Sequence, residues 1–325
     1  MKILVAGATG ALGKQLVPLL VAGGHDVAGM IRSESKVNAV RSLGGTPVIA
    51  DALEPEEVAR AVGEVEPEII VHQLTALAGS LTDARHPDRA FAVTDRLRTE
   101  GTDHLLAAGR AVGVRRFVAQ SYAGWRFARR GGGVMTEEDP LDLGLPHKLH
   151  GMLDAIRHLE DAVTGARWTE GLVLRYGNFY GPGTSMAPDG EHFEMIVKRR
   201  FPVVGSGAGV WSFVHIEDAA EATVAAVERG NRGIYNIDDD EPAAVAEWLP
   251  ALADALGAKP PQRVPRWLGR LFAGEAGVVM MTEVRGASNA KAKRELGWRP
   301  SRRSWREGFV EVAAQHASFE TVRTG

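Results

Sequence analysis

The run KILVAGATGALG, Lys2 to Gly13, sets three glycines directly after a short apolar stretch and constrains this chain more than any other feature. Ile3 to Val5 supply a buried strand and Gly7 permits a tight turn. Gly10 lets backbone approach a pyrophosphate, and Gly13 lets the following helix, Lys14 to Val21, pack closely on the strand. The free amides at the helix start, around Thr9, Ala11 and Leu12, then face an anion. Glycine triplets also occur in ordinary turns, but one set between a strand and a helix points to a dinucleotide site.

Downstream, apolar runs alternate with helical segments. The runs are Val27 to Ile31, Pro47 to Ala50, Ile69 to His72, Phe117 to Gln120 and Leu172 to Arg175; the helices include Pro55 to Val62, Ala90 to Val112 and His147 to Val163. This rhythm predicts an α/β fold, a Rossmann-type doubly wound parallel sheet covered on both faces. Gly23-Gly24 and Gly44-Gly45 end helices where the carbonyl cap needs positive φ. After Tyr180 the pattern loosens through Gly181-Pro182-Gly183 and Gly205 to Gly209. A strand near Ser212 to His215, a helix Ala243 to Leu256, a stop at Pro260-Pro261 and a terminal helix around Trp305 to His316 follow. The expected division is a dinucleotide-binding domain, residues 1–178 completed by segments near 212–238, and a smaller C-terminal substrate-binding subdomain of residues 179–211 and 239–325.

A chain of 325 residues with 45% apolar content can bury a substantial core. Its 38 basic and 41 acidic residues leave a net charge of -3, which recruits neither nucleic acid nor an anionic membrane. The absence of cysteine removes disulfides, thiol nucleophiles and cysteine-ligated metals, and no metal is expected. Glycines interrupt the N-terminal apolar run before a signal-peptide core of about seven residues is complete. No apolar stretch approaches transmembrane length, so a cytoplasmic protein acting on a small-molecule substrate is expected.

Where an NAD binder usually places a carboxylate against the ribose, after the second strand, this chain has Arg32 and Ser33, with Lys36 close behind. A guanidinium pairs with a 2′-phosphate that an acid would repel, and Ser33 can donate a hydrogen bond to it. NADP is therefore expected ahead of NAD.

With GATGALG, further motifs resemble the extended short-chain dehydrogenase/reductase superfamily, in its epimerase/dehydratase branch. These are Gly101-Thr102, LRYGNFYGPG from Leu174 to Gly183, FVHIEDAA from Phe213 to Ala220, and LGWRP from Leu296 to Pro300. The resemblance implies that Asp51, with Ala52, contacts adenine, and that Gln73, Leu74 and Thr75 after IIVHQL lie beside the cofactor. It also implies a homodimer through the segments Ala90 to Val112 and His147 to Val163.

Members of that superfamily usually protonate a carbonyl with a Tyr-x-x-x-Lys pair, because a nearby ammonium lowers the phenol's pKa. None of Tyr122, Tyr176, Tyr180 and Tyr235 has lysine four residues on. Counted back from Glu160, the pair's positions fall on Met152 and Ile156, which sit in an apolar stripe that reads as core. The superfamily's serine or threonine aligns with Tyr122, preceded by Ser121. With no cation nearby, Tyr122 should keep its ordinary pKa and serve as a donor, or else simply pack and cap the sheet. His147 and Lys148 are alternative proton carriers, or solvated residues of a loop.

Trp125-Arg126 and Arg129-Arg130, with Gly131 to Gly133, read either as a substrate clamp or as a mobile basic loop. Asn178 matches a residue that faces substrate in relatives, or holds a turn. Nucleotide-sugar members carry a diphosphate-binding arginine where this chain has Trp211, so a nucleotide sugar is not expected. Met186, Phe193, Met195 and Trp211 would instead line an apolar pocket, or belong to the core. The expected activity is an NADP(H)-dependent oxidoreductase, transferring hydride between nicotinamide and a small carbonyl or alcohol with a non-standard proton donor. A dehydratase, epimerase or cyclase, and a non-catalytic NADP-binding regulator, remain as alternatives.

Overall fold

The computed structural model describes residues 1–77, 86–124 and 127–324. Seven strands make one sheet: β1 (Lys2–Ala6), β2 (Asp26–Ile31), β3 (Thr46–Ile49), β4 (Ile69–His72), β5 (Arg116–Tyr122), β6 (Glu170–Tyr176) and β7 (Gly233–Ile237). Their order is β7-β6-β5-β4-β1-β2-β3, with every neighbouring pair parallel. The direction of winding reverses between β1 and β4, where Val5 stands opposite Val71. A crevice opens at the carboxyl ends of the strands at such a point.

Side chains alternate across the sheet. Ile3 and Val5 pack under α1 (Ala11–Ala22) and α6 (Ile216–Glu228), through Leu16, Leu20 and Ala222. Leu4 and Ala6 face α2 (Pro55–Val65), α4 (Glu100–Val112) and α5 (His150–Gly165), through Val58, Leu105 and Leu159. Burial on both faces accounts for the nearly continuous apolar composition of these strands.

The helix expected over Ala90 to Val112 is broken into Pro87–Ala90, α3 (Ala92–Arg98) and α4. The second break lies at Thr99, φ −94° and ψ −83°, whose hydroxyl donates back to the Asp95 carbonyl at 2.9 Å and competes with the regular ladder. The strand near Ser212 to His215 forms, but outside the main sheet: Phe213–His215 pairs with Asn178–Tyr180.

A second core gathers α7 (Val245–Ala255), α8 (Arg266–Thr282) and α9 (Trp305–Thr324) around Trp211, Phe213, Trp248, Trp305 and Phe309. Trp211 and Trp248 lie with ring centroids 4.8 Å apart, and Phe213 meets Phe309 edge-on at 5.5 Å. No described helix is long and apolar enough to cross a membrane.

The glycine turn leaves no room for a side chain. A Cβ at Gly13 would lie 2.3 Å from the Gly7 carbonyl oxygen and 2.6 Å from Ala8 backbone. Backbone cannot move aside as a flexible side chain would, so Gly13→Ala should displace α1 from β1. The expected outcome is at least a ten-fold loss of dinucleotide affinity, about 1.4 kcal/mol, read by titration with NADPH; wild-type affinity would refute it.

Candidate functional site

Gly7 adopts φ +97°, and a Cβ there would sit 2.9 Å from the Gln73 carbonyl oxygen, so the end of β4 presses directly on the turn. Gly10 donates its N–H to the Gly7 carbonyl and caps α1 without a side chain, while the first turn of α1 holds no acidic residue. Amides and the positive end of the helix dipole are thereby left for an anion. A dinucleotide pyrophosphate fits this cradle.

One cavity of about 1320 Å³ runs from the cradle to the second core. Its nucleotide end is walled by Thr9, Ala11, Leu12, Arg32, Ser33, Lys36, Asp51 and Ala52. Arg32, Ser33 and Lys36 are exposed at the end of β2. Asp51 is partly occupied within its own turn, accepting the Leu53 N–H at 3.0 Å. Gln73, Leu74 and Thr75 line the middle. Beneath them His72 accepts the Leu74 N–H at Nδ1, and Nε2 pairs with the Thr102 hydroxyl at 3.1 Å. Burial pulls this imidazole down to about 4, so it is neutral and structural.

At the junction of the two halves stand Ser121, Tyr122 and Met152. Met152 is buried in the wall and Ile156 lies wholly in the core; neither carries a titratable group. Ser121 donates its hydroxyl to Glu160 at 2.7 Å, and Glu160 also accepts from Nε and Nη2 of Arg175, each at 2.8 Å. Ser121 is thus tied into a buried ion pair. Tyr122 donates to the Asn178 side-chain oxygen at 2.9 Å, and Asn178 in turn donates to the Ser212 carbonyl. The phenol folds over Gly124, where a Cβ would meet it at 2.4 Å.

The expectation that Tyr122 has no nearby cation is corrected by Arg98. Burial pushes the phenol well above its ordinary range and the guanidinium opposes that shift only in part, so Tyr122 stays protonated, with its proton held by Asn178, and cannot act as a base. Arg98, at the end of α3, is 4% exposed and lines the cavity. Its signal was present in the sequence: Thr94, Arg98, Gly101, Thr102 and Leu105 follow helical spacing and all are buried. A charge on that face is out of place in ordinary packing.

His147 and Lys148 stand exposed on the short turn His147–Leu149 and are not among the described residues lining the cavity. Trp125 and Arg126 lie outside the described residues. Arg129 is not a solvated loop residue and is not among the described residues lining the cavity. It pairs with Asp142 at 2.5 Å and with Glu283 after α8, which ties the segment down.

The far end of the cavity is lined by Met186, Met195, Phe201, Trp211 and Met280, with Arg199 and Arg200. Met186 and Trp211 belong to the second core and to the cavity wall at once; Phe193 is buried in the core. The Trp211 indole donates to the Met280 carbonyl at 2.9 Å, which fixes its plane.

The model of the NAD dependent epimerase/dehydratase family matches residues 3–238. A 3-diazoavenalumate denitrifying reductase from Streptomyces sp is 44% identical over 95% of this chain and 99% of its own length. A 4-hydroxy-2-methyl-3-oxo-4-farnesyl-3,4-dihydroquinoline-1-oxide ketoreductase from Stigmatella aurantiaca is 28% identical over 80% of this chain and 74% of its own. Among solved structures, the UDP-glucose 4-epimerase of Thermus thermophilus in complex with NAD superposes with a TM-score of 0.72 at 26% identity, covering 97% of this chain and 98% of that one.

Proposed function

The chain belongs to the NAD dependent epimerase/dehydratase family, and on that premise we propose that it is an NADPH-dependent reductase that strips the diazo group from a small aromatic substrate. The observation that carries the reading is the inert pair Met152 and Ile156, in a chain 44% identical to a denitrifying reductase of a diazo compound. Reducing a neutral carbonyl leaves an alkoxide that must be protonated, which is why an acid is needed. An aryl diazonium brings its own positive charge: with one hydride it balances as arene and dinitrogen, and no proton is drawn from the protein.

NADPH supplies that hydride when bound. The turn Gly7 to Gly13 would hold its pyrophosphate, Arg32, Ser33 and Lys36 its 2′-phosphate, Asp51 and Ala52 its adenine end, and Gln73 to Thr75 its nicotinamide side. Tyr122 and Met152 would bound the reacting end, and Asn178, Met186 and Trp211 the ring of the substrate. The same reading keeps residues 1–178 and the segments near 212–238 as the nucleotide unit and the remainder as the substrate unit, in a homodimer.

The test is to follow NADPH oxidation and arene release with 4-carboxybenzenediazonium and, separately, with a panel of aryl ketones. Turnover of the diazonium alone supports the proposal; turnover of ketones alone overturns it. A second reading, ketone reduction, is favoured by the ketoreductase relative and by a phenol in the cavity wall, Tyr122, whose proton a substrate oxygen would have to take over from Asn178. Tyr122→Phe separates the two. Diazonium turnover should fall less than about ten-fold, whereas a general acid is worth about 10²–10⁴ in rate.

A further inference from the structure

We infer that Arg98 is the receptor for an aromatic oxyanion, a phenolate or carboxylate oxygen carried by the substrate on the ring that enters this cavity. Resting on the cavity being the site of an aromatic reductase, the inference narrows the substrate class to anionic arenes.

The guanidinium is almost fully buried, and its Nε and Nη1 have no hydrogen-bond partner among the described residues. The acid beside it, Asp95, lies 3.8 Å from Nη1, beyond hydrogen-bond reach. Asp95 therefore offsets the charge only as a long ion pair, and with its carboxyl lifted by burial to about 6 it stays largely ionised at neutral pH without satisfying the guanidinium N–H groups. Such a cation is costly to bury unless an anion completes it. The break at Thr99 ends α3 at Arg98, in the cavity wall near Tyr122.

The anion is not a cofactor group in this reading. The pyrophosphate is received by the start of α1, and a 2′-phosphate by Arg32 at the end of β2. What remains for Arg98 is an oxygen of the molecule in the other half of the cavity. Met152, Met186, Phe201 and Trp211 give that half apolar and aromatic surface, with Arg199 and Arg200 on its more exposed part, so the anion that the buried Arg98 receives arrives attached to a ring. A planar guanidinium suits a carboxylate by two parallel hydrogen bonds and a phenolate by one or two.

The experiment uses the NADP⁺-saturated protein and unreactive probes: 4-nitrophenolate and 4-nitrobenzoate against their neutral counterparts, 4-nitroanisole and methyl 4-nitrobenzoate. Binding is read by tryptophan quenching. Wild-type protein should prefer one anion over its neutral partner by about ten-fold or more. Arg98→Gln should abolish that preference, and Arg98→Lys should keep part of it, with NADP⁺ affinity unchanged within about two-fold in both. The probe pair that shows the preference identifies phenolate or carboxylate as the source.

Equal binding of anion and neutral probe by wild type, an undiminished preference in Arg98→Gln, or parallel loss of NADP⁺ affinity would each overturn the assignment. Should Arg98→Gln fail to fold, wild-type protein and Arg98→Lys still decide it: a bound anion preference that Arg98→Lys leaves at full strength overturns the fork-like contact, and its reduction supports it. Nothing in these measurements requires turnover, so the inference and the reductase reading fail separately.

Discussion

Arg32→Ala should weaken NADPH binding by about ten-fold to a hundred-fold, the value of a charge-assisted contact of about 1.5–3 kcal/mol, while NADH binding changes less than about two-fold. The side chain is exposed at the end of β2 and walls the nucleotide end of the cavity beside Ser33 and Lys36. Only NADPH carries a phosphate at that position. Isothermal titration with both cofactors checks the difference, and equal losses would remove the basis for preferring NADP. Because the contact is exposed, its contribution should shrink as salt rises. The solved Thermus relative carries NAD, so this residue also tests whether the present chain departs from it.

Arg175→Leu is expected to destabilise the fold by about 3–5 kcal/mol, since removing one partner of a buried pair strands the other charge. Arg175 is 2% and Glu160 4% exposed, joined by two hydrogen bonds of 2.8 Å, with the Ser121 hydroxyl completing the carboxylate. The pair links β6 to α5 directly beneath the cavity. A shift in the urea unfolding midpoint at unchanged slope measures the loss. The double variant Arg175→Leu with Glu160→Leu should recover much of it, because no unpaired charge then remains. A loss below about 1 kcal/mol for the single variant would place the pair among weak surface bridges instead.

The sheet was legible because its inner strands are buried on both faces and read as apolar runs between turn signals, from Ile3 at β1 to Leu174 at β6. The glycine turn was equally plain, since Gly7 and Gly13 answer to backbone contacts a few residues away and to the end of β4. The break at Thr99 was not, because a hydroxyl that turns back on its own helix leaves the apolar periodicity intact on both sides. Arg98 follows the same periodicity, so only its charge sets it apart from the core residues around it. The role of Arg129 depends on Glu283, 154 positions away, and no local pattern announces such a partner. His147 and Lys148 are chemically apt, yet they stand exposed on the turn before α5 and not among the described residues lining the cavity, a placement that no residue type announces.

Trp211 bears on what the cavity wall can offer a substrate. Its ring is clamped by Trp248 and Phe213 and its N–H is spent on Met280, so the site has committed its surroundings to an indole. A Trp211→Arg change would set a guanidinium where Trp248, Phe213 and Phe201 pack ring against ring, and would take the indole N–H away from the Met280 carbonyl. With Trp248 and Phe213 packed around this residue, the wall offers a substrate stacking area at this position rather than charge.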